Sequence, residues 1–249
     1  MYFLLMFNFY TFLAGKTTAV LSILENKHQI MKNPFTKCIL LHKNSHQPLY
    51  KKFRPHCAII KSIDGENSEL PLKWIKEQCE EGGDKTSHTL LILDDINFGD
   101  SNLLASQLVS IFTRMSHHSR MSVVLICHGV PSSSGGKAFN AFQTCLASST
   151  NVFIGRALAN IGCVKRIAQL LCVTDPCKIL VDIYKHEILD GKKYKFLTIC
   201  TEVNRDIPTH LVILTNFLPS ERRGGVTNDV IYCYSDSPIP SRSLTKTPS

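Results

Sequence analysis

No two cysteines of this chain stand at C-x-x-C spacing, although it has ten of them, scattered from Cys38 to Cys233. Zinc modules are built on such short paired spacings, so the pattern argues against one. Several cysteines sit inside apolar runs, as Cys127 does in Val123-Val124-Leu125-Ile126-Cys127. Buried free thiols in a reducing compartment account for that placement. An intracellular location, cytoplasm or nucleus, is the expectation. No lysine or arginine precedes Lys16, although residues 1–14 are almost entirely apolar. A secretory leader wants a basic start and a small-residue cleavage site. The run is also short of the roughly 20 residues that span a bilayer. Stable membrane association is not expected. A buried first strand, a leader and a misassigned chain start are the three readings of this stretch, and the strand is the favoured one. Charged residues make up only 19% against 44% hydrophobic, which excludes a wholly disordered chain. No internal repeat is present.

What is there is a basic chain of 249 residues with net charge +8. That length suits one large α/β domain or two small ones. The charge favours a polyanion such as nucleic acid, with a basic soluble protein lacking such a partner as the plain alternative. From Ser235 onward Ser, Pro and Thr dominate. The expectation is one domain over 1–234 and a disordered tail over 235–249.

Apolar runs and breakers alternate along the chain. Thr17 to about Lys32 reads as a helix stopped by Asn33-Pro34. Lys37–His42 is a buried strand, Asn44–Pro55 a polar and basic loop, and Ala58-Ile59-Ile60 a short strand. Leu70–Glu81 suits a helix with Leu72, Trp74, Ile75 and Cys79 toward the core. Thr89–Asp95 is a strand ending in two carboxylates. Ser101–Met115 reads as an amphipathic helix with Leu103, Leu104, Leu108, Ile111 and Phe112 inward. Met121–Cys127 and Asn151–Gly155 are strands; Gly162–Cys172 and Lys178–Leu189 are helical; Lys195–Cys200 and Leu211–Phe217 are late strands. The order implies a mainly parallel central sheet covered by helices, with the late strands free to run antiparallel.

Two stretches carry chemistry. Leu13-Ala14-Gly15-Lys16-Thr17-Thr18 matches the second half of G-x-x-x-x-G-K-[ST], a loop whose backbone N–H groups wrap phosphates, whose Lys reaches the β/γ oxygens and whose hydroxyl holds Mg²⁺. Its first glycine would stand at position 10, which is Tyr10. Asp94 and Asp95 end a buried strand, where one carboxylate can hold Mg²⁺ through water and its neighbour can orient the attacking water. A capping Asp at a strand-to-helix turn is the simpler reading of Asp94. The upstream Gly-Lys-Thr favours the chemical one. His117 and His118 invite a metal reading, but strand neighbours point opposite ways and no Cys or carboxylate lies at ligand spacing.

Phe112–Val124, with Thr113-Arg114-Met115-Ser116-His117-His118-Ser119-Arg120 at its centre, resembles the segment before the fourth core strand of FtsK/HerA-superfamily DNA-packaging ATPases. The similarity is greatest to those of Polinton (Maverick) transposons and related DNA viruses, which often carry a Thr-Arg-Gly-Ser-His-His-Arg-like run there. It extends from about Gly15 to about Pro219. Leu93-Asp94-Asp95, Gly135-Gly136-Lys137 followed by Cys145–Ile154 as the next strand, and Thr215-Asn216-Phe217-Leu218-Pro219 resemble the family's later motifs in order. The resemblance implies a P-loop NTPase-type three-layer α/β/α fold and an ATP-driven homo-oligomeric ring that moves double-stranded DNA, often into a capsid. Carried over, Gly15, Lys16, Thr17 and Thr18 hold ATP, and Thr17 and Asp94 hold Mg²⁺. Asp95 stands where many relatives have a Glu base. Arg114 or Arg120 serves as the arginine finger for a neighbouring subunit, a solvated basic turn being the plain alternative for both. His128, in Cys127-His128-Gly129, stands in place of the Gln of Thr-Gln-Asn that meets the γ-phosphate. With Tyr10, it sets a relic that binds nucleotide or DNA without turnover beside the active enzyme.

Overall fold

The computed structural model describes residues 3–6, 16–30, 35–43, 47–63, 69–80, 87–127, 130–131, 136–155, 161–171, 177–189, 196–200, 211–215 and 231–234, the strands at 3–6, 211–215 and 231–234 as backbone. Nine strands form one sheet: β1 (Phe3–Met6), β2 (Lys37–His42), β3 (Ile59–Ser62), β4 (Thr89–Asp94), β5 (Met121–Cys127), β6 (Asn151–Gly155), β7 (Phe196–Cys200), β8 (Leu211–Thr215) and β9 (Ile231–Tyr234). Their order is β3-β2-β4-β5-β1-β6-β7-β8-β9. The pairs from β3 through to β6 are parallel. Those from β6 to β9 are antiparallel. The helices are α1 (Lys16–Glu25), α2 (Lys27–Ile30), α3 (Leu72–Glu80), α4 (Asn102–Ser110), α5 (Ser116–His118), α6 (Lys137–Ala147), α7 (Ile161–Leu171) and α8 (Cys177–Ile183).

Side-chain alternation along the strands divides the core in two. Cys38 and Leu40 of β2, Leu90 and Ile92 of β4, and Val124 and Ile126 of β5 pack with Ala19, Val20, Leu21 and Leu24 of α1. The intervening Ile39, Leu41, Leu91, Leu93, Val123 and Leu125 pack on the opposite face with α3, α4, α6, α7 and α8. Strands buried on both faces read as unbroken apolar runs, which is why β4 and β5 are Leu-, Ile- and Val-rich throughout. The result is the three-layer α/β/α arrangement that the family resemblance implies. Period-two alternation also assigns the acid. Asp94 follows Leu90 and Ile92 at even spacing and therefore faces the α1 side.

Four local expectations need correction. The basic stretch Asn44–Pro55 is not simply loop, because Pro48–Phe53 forms a 3₁₀ helix with Tyr50 and Phe53 buried. Three residues per turn put those two side chains on one side. Leu103 is 48% exposed, while Leu104, Leu108, Ile111 and Phe112 are buried. It sits about 100° round the helix from Leu104. Cys145 lies in α6, not in a strand, so the strand after Gly136-Lys137 begins only at Asn151. His117 and His118 lie on the helical turn α5, which follows a π-turn at Ile111–Met115. β9 extends the sheet beyond the last strand read from the sequence. Tyr10, Gly15, His128, Gly135 and the tail 235–249 lie outside the described residues.

Candidate nucleotide site

Sheet register sets which groups can meet. Met6 of β1 aligns with Cys127 of β5. His42 aligns with Asp94 across the β2–β4 pair. Asp94 aligns with Ile126 across the β4–β5 pair. The carboxyl ends of β1, β2, β4 and β5 thus share one edge, where sites collect in open parallel sheets. β5 lies between β1 and β4, so the strand feeding the Gly-Lys-Thr loop is two strand spacings, roughly 10 Å, from the acid strand. The next described element after β1 is α1, which begins at Lys16. A helix N-terminus there points free N–H groups and the positive end of its dipole at the same edge.

Thr17 Oγ1 donates a hydrogen bond to Asp94 Oδ2 at 3.2 Å, joining two motifs that lie 77 positions apart in sequence. Asp94 is 1% exposed. Tyr50 OH donates to the same oxygen at 2.9 Å. Burial, and then the negative charge of Asp94, push the Tyr50 hydroxyl well above its ordinary range, so it keeps its proton and remains a donor. The His42 ring stacks on Tyr50 with centroids 4.2 Å apart, and Phe53 meets Tyr50 edge-on. Beside this group, Gln47 Nε2 donates to Asp95 Oδ2 at 3.3 Å. Asp95 is half-buried and has φ 61°, the left-handed region. That backbone turns the second carboxylate away from the strand alternation and onto the open edge. Lys43 Nζ pairs with Asp100, which also accepts from the Asn97 N–H, fixing the loop between β4 and α4.

The structure therefore brings Thr17, Asp94 and Asp95 together, with Lys16 at the head of the helix that carries Thr17. Thr18 is exposed. Arg114 and Arg120 lie elsewhere. α4 carries the chain away from the acid edge; Arg114 is exposed on the π-turn, and Arg120 is exposed immediately before β5. Met121 aligns with Thr89, the first residue of β4. Arg120 is thus a full strand, about 20 Å, from the acid edge of its own chain. Arg120 also has φ 44° and gives its carbonyl to the Thr89 N–H at 3.2 Å. Sequence reasoning missed Tyr50, Gln47 and His42. The available signal was the Tyr50/Phe53 pair at three-residue spacing inside an otherwise basic segment.

Thr17 and Asp94 offer hard oxygen atoms, the donors Mg²⁺ prefers. Among the described residues there is no group of three or more His, Cys, Asp or Glu side chains able to hold a metal ion. The donor set fits an ion brought with phosphates, which take the remaining positions. Among the described residues, too, no helix is long and apolar enough to cross a membrane.

Comparison with solved structures finds the same fold in viral proteins. The chain is similar to B204, the DNA-packaging ATPase from Sulfolobus turreted icosahedral virus, at TM-score 0.53 and 12% identity over 85% of this chain and 95% of that one. It is also similar to the genome-packaging NTPase B204 from Sulfolobus turreted icosahedral virus 2, solved with sulfate, at TM-score 0.50 and 12% identity over 80% and 90% of the two chains. At such identities the likeness is one of fold. A comparison with curated protein sequences gives no match. None of these findings bears on the narrower likeness to Polinton proteins. The family model for the poxvirus A32 protein matches residues 12–174, which span the helix of Lys16 and Thr17, the acid strand and the Arg/His turn. The chain belongs to the poxvirus A32 protein family.

Proposed function

We propose that this chain is an ATP-hydrolysing DNA-packaging enzyme that acts on double-stranded DNA as a homo-oligomer. The observation that carries the reading is the Thr17–Asp94 hydrogen bond at the carboxyl edge of a parallel sheet. The first turn of the helix that follows the Gly-Lys-Thr motif and a buried acid meet there, in an arrangement that a merely capping Asp94 does not require. The fold shared with two viral packaging NTPases supports it.

In this reading Lys16 neutralises β/γ-phosphate charge, aided by the N-terminus of α1. Thr17 Oγ1 and Asp94 would hold Mg²⁺, which would supply charge neutralisation on the phosphates. Tyr50 keeps the Asp94 carboxylate oriented toward Thr17. Asp95 positions the attacking water. Arg114 or Arg120, remote from its own site, serves a neighbouring subunit, where a cation stabilises transition-state charge. His128, the residue after β5 in sequence, would serve as the γ-phosphate sensor. A second reading, nucleotide binding without turnover, is favoured by Tyr10, whose side chain stands where the loop has a glycine for close approach to phosphate. ATP turnover by the purified chain, with Lys16→Ala as the comparison, separates the two.

A further inference from the structure

The charge of this chain is not spread evenly. Between positions 26 and 63 there is no Asp or Glu, and eight Lys or Arg residues fall in that run. The other twenty Lys and Arg equal the twenty Asp and Glu of the remaining chain, so the whole net charge of +8 resides in this one run. It builds β2, the 3₁₀ helix and β3, which together form one edge of the sheet. Some of its cations are engaged. Lys37 bonds Gln78, Lys43 pairs with Asp100, and Lys61 lies over the Trp74 ring. Lys51, Lys52 and Arg54 are exposed and form no ion pair among the described residues.

The 3₁₀ period explains their display. With three residues per turn, Tyr50 and Phe53 face inward together, and Lys51 and Arg54 stack together on the other side. Lys51 and Arg54 also line an open cleft of about 400 Å³ shared with His42, Gln47 and Tyr50. The same turn places Tyr50 on Asp94 and Gln47 on Asp95.

We propose that the 3₁₀ turn Pro48–Phe53 with Arg54 is a duplex-DNA contact surface, in which Lys51, Lys52 and Arg54 neutralise backbone phosphates next to the nucleotide site. The inference rests on the proposed function and names where its DNA is held. Nucleic acid fits this surface better than an acidic protein face. Protein interfaces are centred on buried aromatic or aliphatic anchors. Among the described residues the one exposed large hydrophobic is Leu103, on α4. Phosphate contacts need cations alone and no sequence of bases. Because Tyr50 lies in this turn and Gln47 is its N-cap residue, the surface is anchored directly to the two carboxylates.

The test is the salt dependence of binding to a random-sequence duplex, for the full chain and for Lys51→Gln/Lys52→Gln/Arg54→Gln. Each phosphate neutralised contributes about 0.9 to the slope of log K against log salt. The triple substitution is expected to lower the slope by about 2 to 3, so that over a fourfold rise in salt it loses roughly 40-fold less affinity than the parent. A control, Lys73→Gln/Lys76→Gln, removes two exposed lysines of α3, each near a glutamate one turn on, and is expected to leave the slope unchanged. An unchanged slope in the triple variant, with unfolding temperature preserved, overturns the surface while leaving the proposed function standing. An equal fall in the control also overturns it, because the binding is then diffuse. Absence of salt-dependent binding by the parent overturns both.

Discussion

The Tyr50–Asp94 contact gives the sharpest quantitative expectation. Tyr50→Phe deletes one hydroxyl and leaves the ring, with its stack on His42 and its edge contact with Phe53, in place. Tyr50 is 6% exposed and Asp94 is 1% exposed, so water replaces the lost donor poorly. A hydrogen bond to a charged group contributes about 1.5–3 kcal/mol. Thr17 still donates to the same oxygen at 3.2 Å, so the carboxylate keeps a partner. That places the cost toward the lower half of the range, at about 2 kcal/mol. The assay is chemical denaturation of the parent, Tyr50→Phe, Asp94→Ala and the double variant, read as a double-mutant cycle. The expected coupling is about 1.5–2 kcal/mol, since contacting residues in one hydrogen-bonded group are non-additive. Additivity within about 0.5 kcal/mol would show that the two side chains do not interact and would remove Tyr50 from the site.

Two further expectations rest on other parts of the structure. Burial holds the His88 imidazole below its ordinary value, and its Nε2 lies 2.8 Å from Ser122 Oγ. The unfolded chain therefore takes up the proton more readily than the folded one, so stability is full above the unfolded value of about 6.5 and falls as pH drops below it. His88→Gln should flatten that part of a stability–pH curve measured by urea unfolding; a curve of unchanged shape contradicts the assignment. At Asp95, φ 61° is tolerated by Gly but not by a β-branched residue. Asp95→Gly should exceed Asp95→Val in unfolding free energy by about 1–2 kcal/mol, and equal midpoints would mean that the left-handed turn is not held in solution.

The parallel sheet was legible because its strands, buried on both faces, leave unbroken apolar runs at Lys37–His42, Thr89–Asp94 and Met121–Cys127. Asp94 was legible for a related reason, since a carboxylate closing such a run has no place in the core without a partner. Other features were hidden by the limits of periodicity. The Pro48–Phe53 turn is short, and its two buried aromatics stand among three cations, so composition pointed to loop. Leu103 looks like its neighbour Leu104, and a one-residue step in a helix separates an exposed from a buried side chain. The end of the helix Lys137–Ala147 falls inside the strand expected over Cys145–Ile154, because Cys145-Leu146 is apolar in either structure. The remoteness of Arg114 and Arg120 from the acid edge comes from strand direction and register, which a linear motif does not state.

The most direct measurement is steady-state ATP turnover by the purified chain with Mg²⁺, beside Lys16→Ala. Lys16 opens α1 at the phosphate edge, one residue before the threonine bonded to Asp94. The expected result is turnover by the parent that falls to background in the variant, with unfolding temperature preserved. Equal turnover by the two proteins contradicts a phosphate site at this helix.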